Sequence, residues 1–258
     1  MNKNSIKILV VASSQKEEKM SFNKRPYYTI SVGDYSKENS SCDFKDNNGE
    51  NISDLNKNFC ELTAYYWAWK NLKCDIIGIE HYRRYLGNLL TNKNKFGILA
   101  ESQIDKYLKN YDAILPYKEA MKIGRFKLVS AYNQYCVNHY KKDLDKTLEI
   151  IKEYYPDYYQ YCNVLNDKKI YTRNILITRK DIFDDLCAFE FGVLFKLKDN
   201  INISKYPSYQ KRIFGFLSER LLNIFLQKEK IRIRRRYLID TSNISFKGKI
   251  KKFIAPII

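Results

Sequence analysis

The sequence has little of what builds cross-linked or metal-stabilised domains. Its six cysteines are scattered without a C-x-x-C pair or a nearby histidine pattern, and the whole chain has only two histidines. This spacing lacks the usual signatures of a structural zinc site and of a disulfide framework. We therefore expect reduced thiols in a cytoplasmic protein.

Long apolar runs are also missing. No segment reaches the roughly 18 consecutive apolar residues that a membrane span requires. The first residues imitate a signal peptide, but their apolar part covers only Ile8 to Ala12, which is shorter than the roughly 7 to 15 residues of a signal-peptide core. A strand is the better interpretation. No internal linker is visible, and the 45% hydrophobic content of 258 residues is enough for one large α/β domain.

Positive charge is the most abundant polar feature. The chain holds 46 Lys and Arg against 29 Asp and Glu, a formal net charge of +17. Such an excess favours an anionic partner, such as a nucleoside diphosphate, a lipid phosphate, an anionic membrane face or a nucleic acid. An AT-rich coding sequence, which the abundant Lys, Asn, Ile and Tyr indicate, would raise the lysine content without any partner.

Residues 51–86 form the most patterned stretch of the chain. Asn58 has the position of a helix N-cap, and Glu61 follows three residues later, where a capping box has its carboxylate. An apolar stripe then recurs at helical spacing, formed by Phe59, Leu62, Tyr66 and Trp69. The pattern predicts a helix that packs on a sheet.

A short apolar run, Ile76 to Ile79, follows this helix and predicts a central strand buried on both faces. The strand ends in a polar cluster, Glu80, His81, Tyr82, Arg83 and Arg84. Ligands of open α/β sheets bind outside the carboxyl ends of the strands, and paired guanidinium groups match phosphate oxygens. A histidine and a glutamate beside them could bind a metal or move a proton. A solvated basic turn with a structural histidine is the alternative.

The same residues carry a resemblance. The segments NISDLNKNFCELTAYYWAWKN and DIIGIEHYRRYL resemble the signature of a bacterial family first catalogued as a domain of unknown function and assigned to glycosyltransferases of capsule and exopolysaccharide synthesis. The resemblance extends to KILVVAS, to YTISVGD and to SKYPSYQKRIFGFLSERLLNIFL, and so spans most of the chain. It implies a single GT-A-like nucleotide-sugar-binding domain over residues 1–230, of α/β class, with a mixed central sheet flanked by helices.

The resemblance also implies an activity and its substrates. The expected enzyme is a hexosyltransferase that moves a sugar from a UDP-linked donor to a lipid-linked oligosaccharide in capsular, exopolysaccharide or O-antigen synthesis. Its partners would be the donor, the acceptor and an anionic membrane surface, without nucleic acid. We expect it in the cytoplasm, peripheral to the inner face of the plasma membrane.

The donor-binding residues that the resemblance implies come from several segments. Ala12 and Ser13 would line the uridine pocket, and Tyr28 would stack on the nucleotide; an exposed aromatic residue is the alternative for Tyr28. Arg83, Arg84 and His81 would neutralise the departing diphosphate. Further candidates on the donor side are Asn174, Arg212 and Arg220. For Asn174 the alternative is an ordinary asparagine at the start of a strand.

Two carboxylates are the candidate catalytic residues, Glu219 and Glu80. A carboxylate next to an arginine suits a general base that deprotonates an acceptor hydroxyl, and this is the role expected of Glu219. A structural ion pair between Glu219 and Arg220 or Arg212 is the alternative. No metal ligand is assigned, because His81 to Arg84 stand where GT-A enzymes carry a D-x-D motif. No cofactor is certain, and manganese or magnesium is the candidate.

Residues 231–258 read as a basic amphipathic C-terminal tail. Arginines 232 and 234–236 precede a stretch in which Lys247, Lys249, Lys251 and Lys252 alternate with Phe246, Ile250, Phe253 and Ile254. This pattern is typical of an interfacial membrane anchor. A solvated basic tail is the alternative.

The remaining patterns predict the other elements. Strands are expected at 8–11, 28–32, 111–116 and 170–179, and helices from about 101, over 181–197 and over 209–226, with 119–162 mostly helical. His139 is expected to be packed, not ligating. Two other functions stay open: a basic nucleic-acid-binding module, which would show salt-sensitive binding and no UDP site, and an inactive sugar-nucleotide-binding scaffold.

Overall fold

A computed structural model describes residues 4–38, 40–88 and 97–243. The strands are β1 (Ile6–Ala12), β2 (Tyr27–Ser31), β3 (Phe44–Lys45), β4 (Ile76–His81), β5 (Arg84–Gly87), β6 (Ala113–Pro116), β7 (Glu119–Ala120), β8 (Lys122–Ile123), β9 (Lys127–Leu128), β10 (Lys169–Ile170), β11 (Leu176–Arg179) and β12 (Ile233–Asp240). The helices are α1 (Gln15–Met20), α2 (Asn56–Phe59), α3 (Leu62–Asn71), α4 (Glu101–Leu108), α5 (Ala131–Asn138), α6 (Lys141–Tyr154), α7 (Pro156–Tyr159), α8 (Lys180–Asn200) and α9 (Ile213–Lys228).

Eight strands form one mixed sheet in the order β11-β6-β12-β5-β4-β1-β2-β3, and β11 also pairs with β4. Strands β1 to β4 run parallel to one another, whereas β5 and β11 run antiparallel to β4. The predicted mixed central sheet flanked by helices is confirmed. The carboxyl ends of β1, β2 and β4 therefore meet at one edge of the sheet.

Strands β1 and β4 are the centre of the sheet because their apolar runs are buried on both faces. Ile8, Leu9 and Val10 are fully buried. Position 78 of β4 requires glycine, because neighbouring side chains lie close to its backbone. A Cβ at this position would lie 2.7 Å from side-chain carbons of Ile8 and of Ile177. The prediction of a buried central strand is confirmed by this packing.

The two faces of the sheet have separate cores. On one face, Leu9, Ile77 and Ile79 pack in a large cluster with residues of α3, α8 and α9. On the other face, Ile8 and Ile76 pack in a smaller cluster with residues of β5 and α4. Alternate residues of one strand consequently enter different cores.

The helix predicted to start at Asn58 is interrupted. Helix α2 ends at Phe59, and α3 begins at Leu62. The break lies at Cys60, whose φ of 52° is in the left-handed region and so cannot continue a right-handed helix. The predicted capping box is therefore wrong: Asn58 instead donates from Nδ2 to the Lys211 carbonyl, 2.9 Å away, and Glu61 is released for other contacts.

Residues 119–128 were predicted to be helical, but they form β7, β8 and β9. Strand β7 pairs with β10, and β8 pairs with β9 as a hairpin. Gly124, at φ +61°, makes the turn of this hairpin and has the conformational freedom that the turn requires. The helical prediction holds for α5 and α6, which follow.

Part of the predicted basic tail lies inside the sheet. Strand β12 pairs with β5 on one side and with β6 on the other. Its start is fixed by Asp112, which accepts hydrogen bonds from the backbone N–H of Arg232 at 2.9 Å and from its Nε at 2.8 Å. Residues 244–258, which contain all the lysines of the predicted anchor, lie outside the described part of the chain.

None of the helices within residues 4–38, 40–88 and 97–243 is long and apolar enough to cross a bilayer.

Candidate functional site

A cavity of about 650 Å³ opens at the carboxyl edge of β1, β2 and β4. It is lined by Val11, Ser13, Glu17, Val32, Asn56, Lys57, Cys60, Glu61, His81, Tyr82, Arg83, Arg84, Arg173, Arg212 and Glu219. This position is where open α/β sheets bind ligands, and the volume is that of a small-molecule site.

The tight turn between β4 and β5 places two arginines on the cavity wall. His81 pairs with Arg84 across this turn, and the Arg83 carbonyl accepts the backbone N–H of Thr241 at 2.9 Å. His81 also reaches the opposite wall, where its Nε2 lies 2.9 Å from the Arg173 carbonyl. Since a carbonyl can only accept, Nε2 is the protonated nitrogen of this contact.

The cavity concentrates positive charge. Its lining holds five cationic side chains, those of Lys57, Arg83, Arg84, Arg173 and Arg212, and three carboxylates. Burial lowers the pKa of the Arg84 guanidinium, and the charges of Arg173 and Arg83 lower it further. An anion that entered here would relieve this repulsion.

Arg173 of the cavity wall and Asn174, which lies behind the wall, both have strained backbones. Arg173 and Asn174 have φ of 74° and 48°, a region that non-glycine residues seldom adopt. Glu119 holds the Arg173 guanidinium through Nε at 2.7 Å and Nη2 at 3.2 Å, and Glu219 accepts the Arg173 backbone N–H at 2.8 Å. Such strain persists only where surrounding contacts fix it, and it clusters at functional sites.

Glu219 lines the cavity and is held from behind. Its Oε2 accepts from Nη1 of the buried Arg220 at 2.9 Å. Arg220 in turn donates from Nη1 to the Phe216 carbonyl and from Nη2 to Gln134. Burial raises the pKa of Glu219, while Arg220 and the Arg173 N–H oppose that rise. A carboxylate with a raised pKa is suited to proton transfer.

A chain of hydrogen bonds runs from the cavity into the core. Asn174 Nδ2 donates to Glu61 Oε1 at 2.8 Å and to the Gly215 carbonyl at 3.3 Å. Ser218 Oγ lies 3.2 Å from Asn174 Oδ1 and 3.1 Å from Glu190 Oε2. The hydroxyl has one proton and can donate to only one of these two oxygens, and Asn174 Oδ1 can only accept.

Both contacts of Ser218 are satisfied together only if Glu190 supplies a proton. Glu190 is 1% exposed, and burial raises its pKa to about 8. A neutral Glu190 donates to Ser218, which donates to Asn174, which donates to Glu61. The protonation of a buried residue is thereby linked to the orientation of a carboxylate in the cavity.

Cys60 and Arg212 meet on another part of the wall. Arg212 Nε donates to Cys60 Sγ at 3.2 Å, and Asn56 Nδ2 donates to the Cys60 carbonyl at 2.8 Å. Burial raises the pKa of the Cys60 thiol, although Arg212 opposes this. The break between α2 and α3 thus places Cys60 against Arg212, the residue before α9.

The structure places six of the predicted site residues on the cavity lining: Ser13, His81, Arg83, Arg84, Arg212 and Glu219. Asn174 and Arg220 lie behind the lining and hold Glu61 and Glu219. Ala12 is fully buried at the end of β1. Tyr28 packs against Phe44 and under the Arg25 guanidinium, away from the cavity.

Glu80 also lies away from the cavity. It is fully buried on the opposite face of β4, where Oε1 accepts the Leu86 N–H at 2.9 Å. This placement argues against the catalytic role predicted for it, because strand alternation turns Glu80 and His81 to opposite faces.

Glu61, Cys60 and Arg173 were not predicted as site residues. Glu61 was interpreted as a helix cap, and Cys60 and Arg173 were given no role. Their roles depend on the left-handed backbone of Cys60 and Arg173 and on partners 46 to 152 residues away along the chain. Neither the backbone conformation nor the distant partner can be predicted from a local sequence pattern.

The cavity does not have the donor set of a metal site. Among the described residues, no group of three His, Cys, Asp or Glu side chains is arranged to hold a metal ion. The three carboxylates of the lining already accept hydrogen bonds, Glu17 from Ser13, Glu61 from Asn174, and Glu219 from Arg173 and Arg220. Surrounding cations further disfavour a divalent ion, so manganese and magnesium do not fit these residues.

Comparisons with known proteins agree with this architecture. Residues 7–230 match the family described as a domain of unknown function, DUF4422. Among solved structures, the chain is similar to the apo structure of the WbbM bifunctional glycosyltransferase, with 28% sequence identity and a TM-score of 0.80. The likeness covers 94% of this chain and 46% of that chain, so this chain spans less than half of the WbbM length. No curated protein matches the chain.

Proposed function

The chain belongs to the DUF4422 family, and we propose that it is a glycosyltransferase with a UDP-sugar donor and a lipid-linked oligosaccharide acceptor. The reaction would serve capsular, exopolysaccharide or O-antigen synthesis at the cytoplasmic face of a membrane, on a GT-A-like domain. The observation that carries the proposal is the arginine-lined cavity at the carboxyl edge of the sheet, in a fold similar to that of a glycosyltransferase.

Arg83, Arg84 and Arg173 bind the diphosphate in this proposal. Guanidinium forks pair with phosphate oxygens through two parallel hydrogen bonds, and they stay charged throughout the reaction. The negative charge that develops on the leaving diphosphate then forms next to cations that need no reorganisation. This chemistry requires no metal ion.

The nucleoside lies at the end of β1. Val11 and Val32 give this part of the cavity an apolar lining, and Ser13 lies beside them. The Ser13 N–H and Oγ both bond to Glu17 Oε2 at 2.7 Å, which fixes the turn after the strand. His81 acts indirectly, because its bond to the Arg173 carbonyl holds that arginine towards the phosphates.

Glu219 is the proposed general base. The acceptor hydroxyl attacks the anomeric carbon of the sugar, its proton passes to Glu219, and the bond to the diphosphate oxygen breaks. The raised pKa of Glu219 favours this transfer. Glu61, held by Asn174, accepts hydrogen bonds from sugar hydroxyls at the reacting centre.

Nucleotide-dependent thermal stability of the full chain tests the donor site. A ligand that binds only the native state raises the melting temperature by mass action. At a ligand concentration 100 times the dissociation constant, the free energy of unfolding rises by about 2.7 kcal/mol. We expect UDP to stabilise the protein more than GDP, CMP or ADP, in EDTA as well as in manganese. The double variant Arg83→Ala, Arg84→Ala should bind UDP about 100-fold more weakly.

A matched control removes two positive charges elsewhere. Arg125 and Lys127 are exposed and lie outside the cavity, so the variant Arg125→Ala, Lys127→Ala should keep the full UDP shift. An equal loss in both double variants would mean that net charge, and not the cavity, binds UDP. Stabilisation by oligonucleotides without any nucleotide shift would contradict the proposal and favour a nucleic-acid-binding module.

A further inference from the structure

The turn of the hairpin formed by β8 and β9 is exposed to solvent. Phe126, beside its turn, is 80% exposed, and Leu128 is 46% exposed. A Cβ built on Gly124 in the turn would meet no atom within 4 Å. Phe126 is the most exposed of the large hydrophobic residues in the described part of the chain.

Cations surround these apolar side chains. Lys122, Arg125 and Lys127 are all exposed, and the Arg125 guanidinium lies 5.6 Å from the centre of the Phe126 ring. Residues 120–130, AMKIGRFKLVS, contain no acidic side chain. The hairpin therefore combines an exposed apolar turn with a purely positive rim.

We propose that this hairpin docks on an anionic lipid bilayer, with Phe126 and Leu128 in the headgroup region and the three cations on lipid phosphates. An aromatic residue flanked by Lys and Arg is the composition that binds membrane interfaces, where the ring leaves water and the charges stay hydrated. Charge complementarity selects anionic over neutral lipid.

The base of the hairpin is fixed to the wall of the cavity. Glu119, three residues before Lys122, binds the cavity arginine Arg173 through Nε at 2.7 Å. Strand β7, which contains Glu119, pairs with β10, which ends three residues before Arg173. A docked hairpin thus holds this side of the cavity near the membrane. This orientation rests on the proposed function, since it matters only for an acceptor carried on a lipid; the docking itself does not.

Co-sedimentation of the full chain with vesicles tests the docking. We expect binding to phosphatidylcholine vesicles that contain phosphatidylglycerol, and much weaker binding to pure phosphatidylcholine. Phe126→Ser should weaken partitioning about tenfold, because it removes one buried aromatic side chain. The variant Arg125→Ser, Lys127→Ser should weaken it by a similar factor and reduce its salt dependence.

Tyr154→Ser is the matched control. Tyr154 is a 51% exposed aromatic residue with the Lys196 ammonium 3.9 Å from its ring centre, and it lies at the far end of α6. This variant should bind anionic vesicles as the unmodified chain does.

Three outcomes would overturn the proposal: equal binding of Phe126→Ser and the unmodified chain, equal binding to neutral and anionic vesicles, or a self-associated state that Phe126→Ser dissolves. The last would show that a second copy covers the hairpin. Vesicle binding is measured without nucleotide, and the UDP shift is measured without lipid. Failure of the docking is therefore distinguishable from failure of the proposed function.

Discussion

Glu80 and Glu190 are both fully buried carboxyl groups, and burial raises the pKa of each to about 8. They lie on opposite faces of the sheet and have opposite surroundings. Glu80 Oε1 accepts one backbone N–H, and its Oε2 has no hydrogen-bond partner. Glu190 bonds to Ser218, the first link of a chain that reaches Glu61 in the cavity.

The difference teaches that burial and a raised pKa do not by themselves locate a functional acid. Both properties appear at structural and at functional positions, since desolvation acts on any buried carboxyl group. What distinguishes Glu190 is a continuous donor–acceptor path to the site. We expect perturbation of Glu190 to change the reaction, and perturbation of Glu80 to change only stability.

The largest contrast should come from neutralising carboxylates one at a time. Glu219→Gln removes the proposed base, and Glu61→Gln removes the negative charge at the end of the hydrogen-bonded chain and replaces one of its two acceptor oxygens by a donor. Each should lower turnover of a UDP-sugar about 100-fold or more, whereas Glu80→Gln should change it less than about twofold. Initial rates at saturating donor give the comparison, and the UDP-induced thermal shift of each variant confirms that it is folded. A large loss in Glu80→Gln alone would reverse the contrast.

An intermediate effect is expected from Glu190 and should depend on pH. As pH rises through about 8, Glu190 ionises and the Ser218 hydroxyl donates to it. Asn174 Oδ1 then loses the hydrogen bond from Ser218, and Glu61, which Asn174 holds, loses its orientation. Turnover should therefore fall on the alkaline side. Glu190→Gln keeps a permanent donor and should remove that alkaline decline, while Glu190→Ala should lower turnover about tenfold at every pH. An unchanged pH profile in Glu190→Gln would show that this path does not reach the reaction.

The last contrast concerns stability alone. The folded state holds the Glu80 proton up to about pH 8, whereas a solvated glutamate of the unfolded chain releases its proton near pH 4.5. The neutral acid's contribution is thus fully present below pH 4.5 and is lost as pH rises through about 8, at roughly 1.4 kcal/mol per unit of pKa difference. Urea unfolding measures the free energy of unfolding of Glu80→Gln relative to that of the unmodified chain. This difference should be about 2–4 kcal/mol more favourable to the variant at pH 9 than at pH 5. An equal difference in the free energy of unfolding between the variant and the unmodified chain at both pH values would contradict the raised pKa of Glu80.

Several elements could be predicted from the sequence because their signals are local. The apolar runs of β1 and β4 predicted the sheet's centre, and the spacing of Ile182, Leu186, Phe189 and Val193 predicted α8. The polar cluster after β4 predicted the edge at which the cavity opens, since ligand sites follow the carboxyl ends of strands.

The misses have physical reasons. Hydrophobic periodicity reports the spacing of side chains and not the backbone angle φ. It therefore predicted a helix that continues across Cys60, where the left-handed backbone ends it. Glu61 and Asn174 are 113 residues apart, and their bond exists only after the fold brings α3 and the start of β11 together. Strand β12 was missed because its arginines suggested the start of a basic amphipathic tail, whereas Arg236 is 8% exposed and lies 3.9 Å from the Tyr107 ring centre. Stacking on an aromatic face lets an arginine leave water, which composition does not reveal.

The position of β12 has a consequence for how the domain assembles. It is the last strand along the described chain, yet it lies between β5 and β6, near the middle of the sheet. During vectorial synthesis the facing edges of β5 and β6 must wait, unpaired, until residues 233–240 leave the ribosome. The family match ends at residue 230, so a polypeptide cut at that boundary would lack the strand that pairs with both β5 and β6, and only the pairing of β11 with β4 and β6 would connect the two sides of its sheet.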